Sequence, residues 1–266
     1  NPQELDDYVC QFQPIAIIYN YHPTVLGWVG SISGNYPSIA QLAIHHEPTM
    51  PLPPNMRATI SQDPTIQETS TLFSSGRFIF DYKNKYPEPD IPIIGSFGFG
   101  LPGKGFQKLV TKVQDEFDTA IIRLHIAYAT YGDAGGILAR NVAEECRMLH
   151  HKSSIQLEIT HDFKDVIQLI DWLAQNTLNA FLYDPFHGRG ISGPPDYALS
   201  ARRPIALTKS YMFKHLFDAE PSIFVEDLSL KEIINNGLAP LYEFYDKWSE
   251  LKLAETYDNI IIKVTV

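Results

Sequence analysis

From residue 91 onward the chain switches repeatedly between two hydrophobic periods, and the short stretches between its helical segments are largely apolar. Residues 91–96 are apolar, and a glycine-rich run follows as far as Gly105. Phe106, Leu109, Val110 and Val113 then recur at helical spacing. Residues 120–126 read as a strand, and Ile137, Leu138, Val142, Cys146 and Leu149 as one face of a helix. Residues 155–159 form the next strand, followed by a helical face of Val166, Ile167, Ile170, Leu173 and Ala174. An apolar strand at 178–183, a short helix at 195–201 and a strand at 204–207 come next. Residues 223–225 and a helix over 230–236 close the series. Strands that are apolar throughout are buried on both faces, which is the pattern of a parallel sheet covered by helices. Right-handed crossovers make it a doubly wound sheet.

The first third is less regular. Residues 15–19 and 39–44 read as strands, and 24–29 as the opening of a helix. Pro48, Pro51, Pro53 and Pro54, with Pro64 a little later, mark a loop region. Residues 77–82 read as a strand or a helix entry, and 86–92, with Pro87, Pro89 and Pro92, as a stiff linker. The expected division is a short domain over 1–90, a second over 91–238, and a terminal segment over 239–266 that packs back on the first domain. Leu241, Phe244, Tyr245, Trp248, Leu251 and Leu253 make residues 239–256 an amphipathic helix.

Composition removes several function classes. A formal charge of -10 over 266 residues argues against a nucleic-acid partner, which needs a basic face. No apolar run reaches the ~20 residues of a membrane span, and no signal peptide is visible. Cys10 and Cys146 have neither disulfide-framework nor zinc spacing, so two reduced thiols in a cytoplasmic protein are expected. The chain opens at Asn1 without a methionine, as a processed chain or a piece of a longer polypeptide would.

Ligands of open parallel sheets sit beyond the carboxyl ends of the strands, so the residues after each strand are the candidates. After the first strand of the second domain come Gly95, Ser96, Phe97, Gly98, Gly103 and Lys104, a turn whose backbone can approach a phosphate at a helix N-terminus. Gly98, Gly103 and Lys104 have P-loop spacing, but Gly105 stands where that motif needs Ser or Thr for magnesium. Arg123 and His125 lie in the next strand; Arg123 either faces a phosphate cleft or pairs with an acid at the sheet end. Thr160, His161 and Asp162 follow the third strand, with Asp162 read first as the cap of the next helix. After the fourth strand, Tyr183 leads to Arg189, Gly190, Ile191 and Ser192 and then Asp196 in the first turn of a helix, a ready anion site with its own cation.

This order of parts resembles the second domain of GT-B glycosyltransferases, in particular the retaining group related to sucrose synthases and glycogen synthases (family 4-like). The resemblance spans residues 92–229. Gly95 to Gly105 is similar to that group's glycine loop with its Lys-Gly pair. Gly188 to Asp196, then Ala198 and Arg203-Pro204-Ile205, is similar to its E-x7-E segment and following strand, with Gly188 and Asp196 at the glutamate positions. The resemblance implies an α/β, GT-B-like fold of two Rossmann-type domains with parallel sheets, the first one short. It implies a UDP- or GDP-sugar donor, a glycan acceptor, and no metal or other cofactor. Asp196 would contact a donor hydroxyl, with Arg189 or Asp184 replacing the first glutamate. Arg189, Lys104 and amides near Ser192 would stabilise the leaving pyrophosphate. The acceptor would enter between the domains, which makes His22 and His46 candidate catalytic residues and Asn20, Tyr21 and Glu47 acceptor contacts. His45, His46 and Glu47 also have the look of a metal site that lacks a third defined ligand. A non-catalytic nucleotide- or sugar-binding module of a larger glycan-assembly protein is the alternative; a P-loop phosphohydrolase is disfavoured by Gly105.

Overall fold

The computed structural model describes residues 1–47, 49, 51–129 and 132–265. Its contacts divide the chain into two compact units. The first comprises Asn1–Phe78, Gly188–Ile191 and Trp248–Val266, and the second Ile79–His187 and Ser192–Lys247.

The first unit opens with α1 (Pro2–Phe12), closed at its start by a reciprocal capping box between Asn1 and Glu4. Its sheet is parallel, in the order β1 (Ala16–Tyr21), β2 (Ala40–His45), β3 (Ala58–Ser61), β4 (Leu72–Ser74). Two single-turn helices, α2 (Pro23–Leu26) and α3 (Val29–Ile32), follow β1. One sheet face packs Leu42, Ile60 and Phe73 against Ile260 and Val264 of the C-terminal helix, Glu250–Thr265. The other packs Tyr19, Tyr21 and Ala43 against Val29, Leu26 and Leu5. Gln41 is buried in β2, yet it is satisfied: its amide donates to the Ser33 carbonyl at 2.6 Å and accepts from the Tyr19 hydroxyl at 3.0 Å.

Three sequence expectations change here. Strands β3 and β4 were not foreseen, because each is short and exposes Thr or Ser on alternate positions. Residues 77–82 form neither strand nor helix; from Ile79 on the segment belongs to the second unit, with Phe80 N donating to Ser200 Oγ at 2.9 Å and the Tyr82 hydroxyl to Asp171 at 2.6 Å. Those bonds are why the second unit begins at Ile79, ahead of the proline-rich 86–92 segment. The expected helix over 239–256 is broken between Tyr242–Lys247 and Glu250–Thr265, where Ser249 Oγ accepts from Lys252 N as a new N-cap.

The second unit holds a five-stranded parallel sheet. In chain order its elements are β5 (Ile93–Phe99), α4 (Phe106–Glu116), β6 (Ala120–Ala127), α5 (Ile137–Leu149), β7 (Ile155–Thr160), α6 (Val166–Ala174), β8 (Leu178–Phe181), α7 (Pro194–Ser200), β9 (Ile205–Leu207) and α8 (Leu230–Asn236). Residues 223–225 contribute an isolated bridge to β9. The strand order is β7-β6-β5-β8-β9. The chain reverses direction of winding at β5, and a crevice opens beyond the carboxyl ends at such a switch point. Ile94, Ile122, Leu124, Ile126, Leu178 and Ala180 fill the core. Helix α5 buries Ala139, Ala143 and Cys146, while Ile137 is exposed, contrary to the apolar face read from its sequence. The reason is close approach: a Cβ on Gly100 would lie 2.3 Å from Ala139 Cα, so only small residues fit under that helix. Burial pushes the Cys146 thiol up to about 12, which makes it an inert core residue. Among the described residues no helix is long and apolar enough to cross a membrane.

Candidate functional site

A cavity of about 540 Å³ lies in the second unit at the carboxyl ends of its central strands. Its floor is Phe97, Gly98 and Phe99 from the end of β5. Beyond them the chain turns through Gly105, which adopts φ 73° and caps α4 with no side-chain hydrogen bond at that helix start. The α4 amides therefore keep their capacity for an acceptor. Lys104 lines the cavity with its ammonium 4.1 Å from the centroid of the Tyr183 ring.

His125 and Ala127 at the end of β6, with Tyr128 just after it, form one wall. His125 is buried, shares a 2.9 Å hydrogen bond between Nδ1 and Thr160 Oγ1, and lies 5.8 Å from the Trp172 ring. Burial, reinforced by the charge of Lys164, pulls its pKa from 6.5 down to about 4. The imidazole is thus a neutral hydrogen-bonding group throughout the physiological range. The folded pKa lies below the unfolded value, so the unfolded chain binds more protons between them. Stability is complete above pH 6.5 and falls as pH drops toward 4, by on the order of 3 kcal/mol from this group. Urea unfolding at the two ends of that window should show a shallower pH slope in His125→Gln than in the parent; equal slopes would disprove the assignment.

The β7–α6 loop supplies Asp162, Phe163 and Lys164, and α6 adds Val166 and Leu169. Asp162 pairs with Lys164 at 2.6 Å, and that bond holds its carboxyl below the usual range. It does not cap α6; Asp165 does, through a capping box with Gln168. Tyr183, Ser192, Pro194 and Tyr197 complete the enclosure. Burial drives the Tyr183 phenol up to about 12, with the Ser192 hydroxyl acting in the opposite sense.

Seven of the residues singled out from sequence thus share one cavity: Phe97, Gly98, Lys104, His125, Asp162, Tyr183 and Ser192. Others stand just behind it. Thr160 supports His125, and His161 Nδ1 meets the Ile126 carbonyl at 2.7 Å. Ser96 is buried within β5, and Gly103 packs under Phe186 and Asp184. Gly95 is paired with Arg123 in the ladder. Arg123 serves structure: it donates to Asn176 at 2.9 Å, lies over Trp172 at 4.8 Å, and is 3.5 Å from Glu158. Asp196 is buried in α7, 4.0 Å from His215 Nε2, and does not line the cavity.

Arg189, Gly190 and Ile191 group with the first unit. Both oxygens of Glu47 take the Arg189 fork at 3.1 Å, and Gly190 N donates to the same carboxylate at 3.3 Å. Arg189 and Glu47 are therefore partners of each other, where the sequence suggested a phosphate contact and an acceptor contact. Elsewhere in that unit, Asn20 Oδ1 meets His46 Nε2, Tyr21 is buried, and His22 Nδ1 accepts from Thr24 N at 3.2 Å as the cap of α2. Among the described residues no group of three or more His, Cys, Asp or Glu is arranged to hold a metal ion.

Sequence reasoning missed Phe99, Tyr128, Phe163, Lys164, Val166, Leu169, Pro194 and Tyr197. The one usable signal was Phe163 itself, an aromatic between Asp162 and Lys164 in a loop, which the structure leaves 89% exposed. Val166 instead read as an ordinary core position of an amphipathic helix.

No protein-family description matches this sequence, and no curated protein does. Solved structures do resemble it. A glycosyltransferase from Rickettsia africae ESF-5 superimposes with a TM-score of 0.69 at 10% identity, over 99% of this chain and 80% of its own. Anabaena Alr3699/HepE in complex with UDP-glucose gives 0.68 at 12%, over 97% of this chain and 82% of its own. The N-terminal domain of a Candida albicans trehalose-6-phosphate phosphatase gives 0.69 at 11%, over 100% and 74%. At such identities the likeness establishes the fold, two Rossmann-like units of the GT-B type.

Proposed function

We propose that this chain is a glycosyltransferase that moves a sugar from a UDP- or GDP-sugar to a glycan acceptor, with retention and without a metal ion, in the cytoplasm. The observation that carries this reading is the cavity beyond β5, β6 and β8, in a fold shared with a structure that holds UDP-glucose. In it, Lys104 supplies positive potential for a diphosphate, and α4 begins beside it at Gly105 with no side-chain cap. Tyr128 and Phe163 offer ring faces to a base, with neutral His125 as a hydrogen-bonding partner. Arg189, held by Glu47, is left out of this scheme, and Lys104 takes the leaving-group charge.

A second reading has support of its own. The same fold occurs in the N-terminal domain of a protein named for phosphatase chemistry, and Gly188 and Asp196 stand at the two glutamate positions of the resembled motif. A binding module without transfer activity is consistent with both.

Thermal unfolding with UDP, GDP and ADP, each with and without magnesium, tests the site. One nucleoside diphosphate should raise the melting temperature without metal, since a ligand at about a hundred times its Kd stabilises by about 2.7 kcal/mol. Absence of any shift would sink the donor-site assignment. Binding without hydrolysis or transfer of the matching sugar nucleotide would leave the module reading.

A further inference from the structure

Beside Phe163 in the donor cavity stands a carboxylate–ammonium pair with no role in the scheme above. Asp162 and Lys164 both line the cavity, two residues apart in the β7–α6 loop, and Lys164 Nζ donates to Asp162 Oδ2 at 2.6 Å. That bond is the main reason the Asp162 carboxyl is held below its usual range, so the group is an acceptor only. Its other oxygen, Oδ1, is 4.0 Å from His125 Nδ1, beyond hydrogen-bond distance. A carboxylate has about four acceptor positions, so the Lys164 bond leaves capacity for a ligand. The Asp162 side chain is 58% exposed and that of Lys164 16%, so a ligand can reach the acceptor while the ammonium is held in place.

The aromatic surfaces of the same cavity are Phe163, which lies between the pair in sequence, and Tyr128. The Tyr128 ring is fixed: the His161 ring is 5.4 Å away, and a Cβ on Gly136 would come within 2.5 Å of it. Unpaired bases are recognised by stacking on such rings and by hydrogen bonds along the Watson–Crick edge. The bases differ in the order of groups on that edge. Guanine presents an acceptor at O6 and then donors at N1 and N2. Uracil presents an acceptor at O4, a donor at N3 and a second acceptor at O2. Adenine presents a donor at N6 and an acceptor at N1. An ammonium followed by two carboxylate oxygens matches guanine at all three positions. Uracil would set O2 against a carboxylate oxygen, and adenine would set N1 against one, with no proton between them.

We propose that Asp162 and Lys164 read a guanine base, Asp162 accepting from N1 and N2 and Lys164 donating to O6, so that the nucleotide bound is a guanosine diphosphate. Its being a sugar donor rests on the glycosyl-transfer reading; the guanine selectivity of the cavity does not.

The test is calorimetric binding of GDP, IDP, UDP and xanthosine diphosphate to the full chain and to its Asp162→Asn variant. GDP should bind the parent about tenfold or more tighter than UDP, the scale of one bidentate base contact. IDP lacks only the N2 amino group and should fall between them. The Asn amide keeps an acceptor for N1 but puts a donor opposite position 2 of the base, where xanthine carries an oxygen. Asp162→Asn should therefore weaken GDP about tenfold and make xanthosine diphosphate the tighter ligand. An aspartate with only a structural role would leave the order of bases unchanged. Equal or tighter binding of UDP, IDP equal to GDP, or an unaltered base order in the variant would each overturn the proposal. If the variant does not fold, the ratio of GDP to IDP affinity in the parent decides the matter. A protein that prefers UDP keeps its donor site and loses this inference alone. One that binds no nucleotide loses both. Guanine selectivity without turnover of any GDP-sugar leaves the base site standing and removes the transferase reading.

Discussion

Gly105→Ala should lower the stability of the second unit by more than about 4 kcal/mol, among the largest effects of any single substitution in the chain. The residue sits at φ 73°, where a Cβ is strained by about 1 kcal/mol or more. Space is the larger obstacle. The new methyl would lie 1.9 Å from the Leu182 carbonyl oxygen and 2.4 Å from its carbon. Those are backbone atoms directly after β8, next to the buried Leu182 and Tyr183, and they cannot swing aside as a side chain does. Gly188→Ala is the control. It has a similar φ of 70°, but its nearest neighbour would be Thr49 Cγ2 at 3.9 Å, so only the conformational cost of about 1 kcal/mol applies. Urea unfolding of both variants separates the two terms. A Gly105→Ala protein as stable as Gly188→Ala would show that β8 and the α4 turn can part without loss.

Lys104→Met should reduce sugar transfer by about a hundredfold, the scale for removing one preorganised charge from a leaving-group site. Methionine keeps an unbranched stem against the Tyr183 ring, so packing over that ring is largely preserved while the cation is lost. The loss should appear in kcat more than in KM, because the charge on a departing diphosphate grows toward the transition state. Lys104→Arg should retain a substantial part of the rate. A Lys104→Met enzyme with undiminished kcat would remove Lys104 from the mechanism and return attention to Arg189, freed from Glu47. Unfolding curves run alongside distinguish a catalytic loss from a folding defect.

The second unit was readable from its sequence because its strands are buried on both sides. Ile121-Ile122 and Ala180-Phe181-Leu182 are apolar at consecutive positions, and no half-exposed strand would be. The rule that ligands gather at strand ends then found Phe97, Lys104, His125 and Tyr183 on one cavity. The same rule failed for Arg123, which sits two residues before His125 on the same face but one row deeper. There Asn176, Glu158 and Trp172 already occupy it. The first unit was harder. β3 is four residues and β4 three; β3 becomes a strand only because β2 offers it a paired edge, and β4 because β3 then does.

The sequence by itself determined the α/β alternation, the parallel character of the second sheet, and the glycine turn leading into α4. Each of these depends on hydrophobic period or on backbone freedom, which neighbouring residues along the chain specify. Only the tertiary structure decided which charges meet. Glu47 and Arg189 are 142 residues apart, and nothing local to either marks the other as its partner. It also decided that α5 turns Ala139 and Ala143 inward, because Gly100 brings backbone against that face. It brought Asn20 and His46 together at one sheet edge, because parallel register aligns strand ends that the chain visits separately.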